Sequence, residues 1–131
     1  NTMCNCSDNK AEDIASLMRE AYPTYWSDFT AERLQMMYNE TIWIGIKNNH
    51  TLASIGVAAL TPIGGHIMFI ATREQYRHRG YATSIISVLV RMILNKTQNV
   101  IIYVIRSNVI AVNIYSQVGF KPYKGYLYMK N

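Results

Sequence analysis

The sequence predicts a mixed α/β fold: a mostly antiparallel sheet with a central parallel strand pair and helices on both faces. Three observations carry this. Three β-patterned segments between residues 41 and 72 are separated by short turns, as in an antiparallel meander. Val100–Ile105 is a nearly continuous β-branched run, the mark of a strand covered on both faces. Between His66–Thr72 and that run lies one amphipathic helix, and a strand–helix–strand unit of this size makes its two strands parallel.

Taken in order, residues 1–9 are weakly patterned, with Met3–Cys6 a short edge strand at best. From Lys10 the pattern turns helical, with Ile14, Leu17, Met18 and Ala21 on one face. Asn9 and Glu12 offer a capping-box-like start and Pro23 a stop. A second helix is expected from Thr30 as N-cap, with Phe29 and Leu34 at the staple positions and Met37 and Tyr38 on the buried face. The aromatic segment between them, holding Tyr22, Tyr25, Trp26 and Phe29, reads either as core edge or as the wall of a substrate pocket. Thr41–Ile46 alternates apolar and polar residues, Asn48-Asn49 supplies a turn, and Leu52–Leu60 runs back. Thr61-Pro62 and Gly64-Gly65 make the next turn before His66–Thr72. Ala82, Ile85, Ile86, Leu89 and Ile93 mark a helix ending near Asn95. A short helix is expected around Val109–Gln117, ended by Gly119. Phe120–Tyr123 and Tyr126–Met129 then form a closing hairpin.

The 131 residues are expected to form one domain, residues 1–131. Half of them are hydrophobic and 16% charged, the balance of a globular rather than a disordered chain. No apolar run approaches the ~20 residues that cross a bilayer, and the start lacks a signal-peptide pattern. A cytoplasmic protein with no membrane partner is the expectation. The chain opens with Asn rather than Met, as a trimmed N-terminus would. Cys4 and Cys6 have no second pair, so they read as free thiols rather than a zinc site, and no metal is expected.

The net charge of +5 points to an anionic partner. Its densest cluster, Arg73 to Arg79, sits in one turn between strand and helix, which suits a small phosphorylated ligand better than a polynucleotide. Helix N-terminal amides, the positive end of the helix dipole and Arg77, His78 and Arg79 together make a phosphate site. The turn lacks the Gly-Lys-Ser/Thr of a magnesium–nucleotide loop and the three glycines of a dinucleotide fingerprint. What it has is Arg77-x-x-Gly80-x-Ala82, followed at Asn108 by Asn108-x-x-Ala111-x-x-x-Tyr115-x-x-x-Gly119-Phe120.

These two blocks, in this order and spacing, resemble the GNAT superfamily of acetyl-CoA-dependent N-acetyltransferases over about His66–Tyr123. The resemblance implies a sheet whose parallel strands splay at the cofactor site. It implies that the pantetheine arm pairs with Ile70, Ala71 and Thr72. The pyrophosphate would lie on Arg77, His78, Arg79, Gly80, Tyr81 and Ala82, with Thr83 just inside the helix. Asn108 and Asn113 would contact the cofactor from the other side, and Tyr115 would protonate the departing thiolate. A phenol within hydrogen-bond reach of a thiolate is chemically suited to that role, and a backbone N–H at the strand end can hold an oxyanion.

The attacking amine needs a base. Where some family members carry Glu before the Asn block, this chain has Tyr103. Where others carry Glu early on the fourth strand, counting back from Gly80 gives His66, which titrates near neutrality. The plain alternative is an idle histidine after a turn; Glu40, Asp28 and attack through water also stay open. The expected function is therefore N-acetyl transfer from acetyl-CoA to a primary amine by direct attack in a ternary complex. A non-catalytic acyl-CoA-binding module and a nucleic-acid-associated basic domain are the alternatives, and a homodimer is one assembly open to the chain. The acceptor is not written in these motifs.

Overall fold

A computed structural model describes residues 2–5, 11–21, 23, 30, 41–62, 64–102, 109–123 and 126–130. The elements are β1 (Thr2–Asn5), α1 (Ala11–Ala21), β2 (Thr41–Asn48), β3 (Thr51–Thr61), β4 (Gly64–Thr72), a 3₁₀ turn (Glu74–Tyr76), α2 (Tyr81–Leu94), β5 (Asn99–Ile102), α3 (Val109–Val118), β6 (Lys121–Tyr123) and β7 (Tyr126–Lys130). Among these the sheet runs in the order β1-β2-β3-β4-β5-β7-β6. Only β4 and β5 pair parallel, in the register Gly65↔Val100 to Ile67↔Ile102; the other neighbours are antiparallel. The mixed α/β fold with its one parallel pair is the architecture expected from the sequence. The expected helix from Thr30, the aromatic segment, and the strand residues after Ile102 lie outside the described residues.

Each face of the sheet carries its own core, because the strands alternate. On one face α1 buries Ile14, Leu17 and Met18 against Trp43, Ile55, Val57 and Ala71. On the other, α2 buries Ile85, Ile86, Leu89 and Ile93 against Ile67, Ile70, Val100 and Ile102, and α3 packs beside α2. Those four α2 side chains have no exposure. Each is worth roughly 1.5–3 kcal/mol of transfer free energy, so packing, rather than contacts at its N-terminus, fixes α2 on the sheet.

Several strands run further than the sequence pattern suggested. The hairpin turn after β2 uses Asn49 and His50, at φ 51° and 72°, the left-handed pair of a type I′ turn, so β2 continues through Asn48. Gly64 and Gly65 belong to β4 rather than to the turn before it. The reason is packing: a Cβ on Gly65 would stand 2.1 Å from Ile93 Cγ2, and one on Gly56 2.3 Å from Ile85 Cγ2. These glycines let α2 lie close on the sheet.

One irregularity sets the site. Val57 pairs with Phe69 while the next residue, Ala58, pairs with Ile67, so Met68 is an extra residue in β4. In an unbroken strand Ile67 and Ile70, three apart, would face opposite ways. With Met68 inserted, both enter the α2 core while Phe69 and Ala71 join the α1 side.

Candidate functional site

The bulge at Met68 follows the last described parallel pair, Ile67↔Ile102, so β4 changes register at the point where that pairing ends. β4 then runs through Ile70, Ala71 and Thr72 into the basic turn. Ala71 is buried, and the Thr72 hydroxyl meets buried Ser54 Oγ at 2.8 Å. Any ligand along this stretch would therefore use its backbone rather than those side chains.

The turn delivers the chain to α2 with open amides. His78 has φ 64° and Gly80, the N-cap, φ 80°. The helix ladder begins with Ser84 N–H donating to the Gly80 carbonyl at 3.1 Å. The N–H groups of Tyr81, Ala82 and Thr83 thus have no intrahelical acceptor, and the helix dipole adds positive character there. A Cβ built on Gly80 would meet nothing within 4 Å, so the space beside the N-cap is open. Donors plus room fit a diphosphate.

The side chains of the turn divide their work. Arg73 donates from Nε to the Leu52 carbonyl at 2.8 Å and stands 3.6 Å from Glu20, clamping α1 to the sheet. Arg77, expected on the phosphate, donates to the Thr72 carbonyl at 3.2 Å and to the Ala21 carbonyl at 3.4 Å, the last residue of α1. Its side chain braces the turn in this structure. Arg79 lies 5.3 Å over the Tyr76 ring, and His78 and Arg79 are both exposed. Tyr81 has its ring buried and its hydroxyl accepts from Asn48 Nδ2 at 3.1 Å, so its backbone is the part available to a ligand. Thr83 is exposed and Ala82 half-buried. The basic cluster of the sequence is thus not one cationic stripe, since Arg73 and Arg77 turn back toward α1.

Tyr115 is half-buried on α3 and packs on the α2-side core. Its spacing to Gly119-Phe120 has a local cause. Phe120 N–H donates to the Tyr115 carbonyl and Gly119 N–H to the Ser116 carbonyl, each at 3.1 Å, and Gly119 has φ 120°. This is a Schellman motif, and the ring contact that accompanies it joins Tyr115 to Phe120 at 6.3 Å, edge-on. The cap holds the tyrosine backbone and orients its ring. Asn113 is exposed on the same helix; Asn108 and Tyr103 lie outside the described residues, as do Asp28 and Glu40.

His66 lies in β4 between Ala59 on β3 and Ile101 on β5, two residues before the bulge. Gly65 and Ile67 face α2, so His66 faces the α1 side. It is half-buried, and burial lowers its pKa below the ordinary 6.5. Burial thus favours the neutral imidazole, the form able to accept a proton. His66 and Tyr115 consequently belong to opposite faces of the sheet. The bulge and this two-sided arrangement were not readable beforehand, because the apolar run Ile67–Ala71 hides any break in alternation.

Among the described residues no group of His, Cys, Asp and Glu side chains could hold a metal ion, and no helix is long and apolar enough to cross a membrane.

Comparison with known proteins places this geometry in a family. Residues 41–129 match the model of the FR47-like protein family. The fold matches the PaiA N-acetyltransferase of Thermoplasma acidophilum, solved in complex with coenzyme A, at TM-score 0.77 and 15% identity, covering 99% of this chain and 98% of that one. It matches the ribosomal-protein-S18-alanine N-acetyltransferase of Escherichia coli at TM-score 0.80 and 13% identity, covering 98% and 90%. The aminoglycoside 6'-N-acetyltransferase of Enterococcus faecium gives 0.79 and 13%, covering 100% and 96%. Comparison with curated protein sequences finds no match. The chain belongs to the FR47-like family, and its fold is that of the GNAT acetyltransferases.

Proposed function

We propose that the protein is an N-acetyltransferase that moves acetyl from acetyl-CoA to a primary amine by direct attack in a ternary complex, within a single domain. The observation that carries this is the row of unbonded amides at Tyr81–Thr83, reached straight from a strand that changes register beside its parallel partner. The coenzyme A bound to the Thermoplasma PaiA protein supports the same ligand here.

Acetyl-CoA supplies an acetyl group activated as a thioester. In our reading, the Tyr81, Ala82 and Thr83 amides hold the diphosphate, with His78 and Arg79 adding positive charge. Gly80 keeps the approach open, and Arg77 holds the turn against α1. The β4 backbone from Ile70 to Thr72 aligns the pantetheine arm. His66 takes a proton from the amine on the α1 side, and the Tyr115 hydroxyl gives one to the departing thiolate from the α2 side. Acid and base then stand on different sides of the reacting carbon, as attack and departure along different bonds require. Asn108 and Asn113 are the further cofactor contacts implied by the sequence motif. The neighbours' names span a ribosomal protein's alanine and an aminoglycoside, so likeness of fold leaves the acceptor open.

Millimolar coenzyme A should raise the melting temperature, by mass action on the folded state, and RNA should not. Thiol release with a panel of amines then separates an enzyme from a binding module. Absence of any shift with coenzyme A or acetyl-CoA would end the reading.

A further inference from the structure

The surroundings of His66 speak to the acceptor. On the α1-side face the register sets Thr41, Ala59, His66 and Ile101 in one row, with Trp43, Val57 and Phe69 in the next. Ala59 and Ile101 flank His66, and both are half-buried. Phe69 is half-buried too, its ring set edge-on against buried Trp43 at 5.8 Å. Strands stand about 4.8 Å apart and same-face residues about 6.8 Å along each strand. Ala59, Ile101 and Phe69 therefore outline an apolar floor about the size of one aromatic ring, with the imidazole in its row. No residue of β2, β3, β4 or β5 is acidic. On α1, Glu12 pairs with Arg19 and Glu20 with Arg73, while Asp13 is exposed at the first turn.

From this floor we infer that the acceptor is a monoamine carried on an aromatic or aliphatic body, seated on Ala59, Ile101 and Phe69 with its nitrogen toward His66. This rests on the acetyl-transfer reading. An apolar floor disfavours the ammonium form and so helps the amine reach the neutral state in which it attacks. A second ammonium on the acceptor would be drawn from water onto a floor whose strands offer no carboxylate, a desolvation that these strands do not compensate. The floor thus selects by what the acceptor lacks as well as by shape.

The test measures thiol release at one pH with three acceptors: 2-phenylethylamine, spermidine and the peptide Phe-Ala-Gly-amide. The amine or the peptide should exceed spermidine in kcat/KM by about tenfold or more, and their order tells a free amine from a peptide N-terminus as the source of the same group. Phe69→Ala should lower kcat/KM for the preferred acceptor about tenfold while coenzyme A affinity stays put. Ile101→Asp, placing a carboxylate beside His66, should move the preference toward spermidine by a similar factor. Spermidine preferred by the wild-type protein overturns the inference. So does a preference unmoved by Ile101→Asp, or, if that variant does not fold, by Phe69→Ala. Coenzyme A binding without thiol release from any of the three acceptors instead refutes acetyl transfer itself.

Discussion

Gly65→Ala is the sharpest perturbation of the packing that places α2. The added methyl would sit 2.1 Å from Ile93 Cγ2, 2.9 Å from Cγ1 and 3.0 Å from Cδ1. Ordinary contact starts at 3.4 Å, so the shortest approach falls about 1.3 Å short. Ile93 cannot yield by rotating, because it has no exposure and a β-branched residue in a helix keeps essentially one χ1 rotamer. Helix or strand must move, and overpacking of this kind costs about 1–3 kcal/mol. Removing a glycine returns about 0.4–1 kcal/mol by stiffening the unfolded chain. The net expectation is a destabilisation of up to about 2.6 kcal/mol, centred near 1.3 kcal/mol and seen as a lower urea midpoint at unchanged slope. Ile93→Ala, costly alone by about 2–5 kcal/mol, removes all three clashing atoms. In that background Gly65→Ala should cost almost nothing, a coupling that a double-mutant cycle measures directly. Equal costs in the two backgrounds would refute the argument, since the clash would then not be with Ile93.

Further outcomes follow from three residues of the site. Gly80→Ala meets no atom but must hold φ 80°, so it should destabilise by about 1–2 kcal/mol, and this strain at the N-cap should weaken coenzyme A binding in a titration. Tyr115→Phe keeps the ring contact with Phe120 and loses only the hydroxyl, so kcat should fall about 10²-fold or more with coenzyme A affinity unchanged. In its proposed role His66 acts as the neutral form, and burial lowers its pKa below 6.5; the His66 limb of kcat/KM should therefore fall as pH drops through a value under 6.5. His66→Gln should remove that inflection along with about 10²-fold of rate. The same shift makes protonation oppose folding: the folded pKa lies below the unfolded one, so this penalty is present at acid pH and gone above 6.5.

Much of this was legible because local chemistry carried it. The parallel pair followed from one helix between two β-runs, and the cap at Gly119 from its place after an apolar helix. The turn at Gly80 was legible because a lone glycine opening a helix needs a reason. What stayed hidden depends on partners distant in sequence. Gly65 reads as turn punctuation until Ile93 is laid over it. Tyr81 sits among turn residues, yet its ring is drawn inward and its hydroxyl satisfied by Asn48, 33 positions earlier. Arg77 has the right type and place for phosphate, but the carbonyls at Thr72 and Ala21 engage it. The side of the sheet that His66 occupies could be read only once Gly65 and Ile67 were known to face α2.

The extra residue at Met68 also splits β4 into two half-strands of opposite phase. Before it, odd-numbered positions look toward α2; after it, even-numbered ones do. Flattening the bulge at unchanged length would exchange inside and outside for half the strand: either Ile70 would leave its core and Ala71 enter it, or Ile67 would be expelled and His66 driven inward among the isoleucines. Deleting Met68 would instead set Ile67 and Ile70 two apart on one face and leave both halves in phase. The bulge is thus a determinant of which side of the sheet His66 faces.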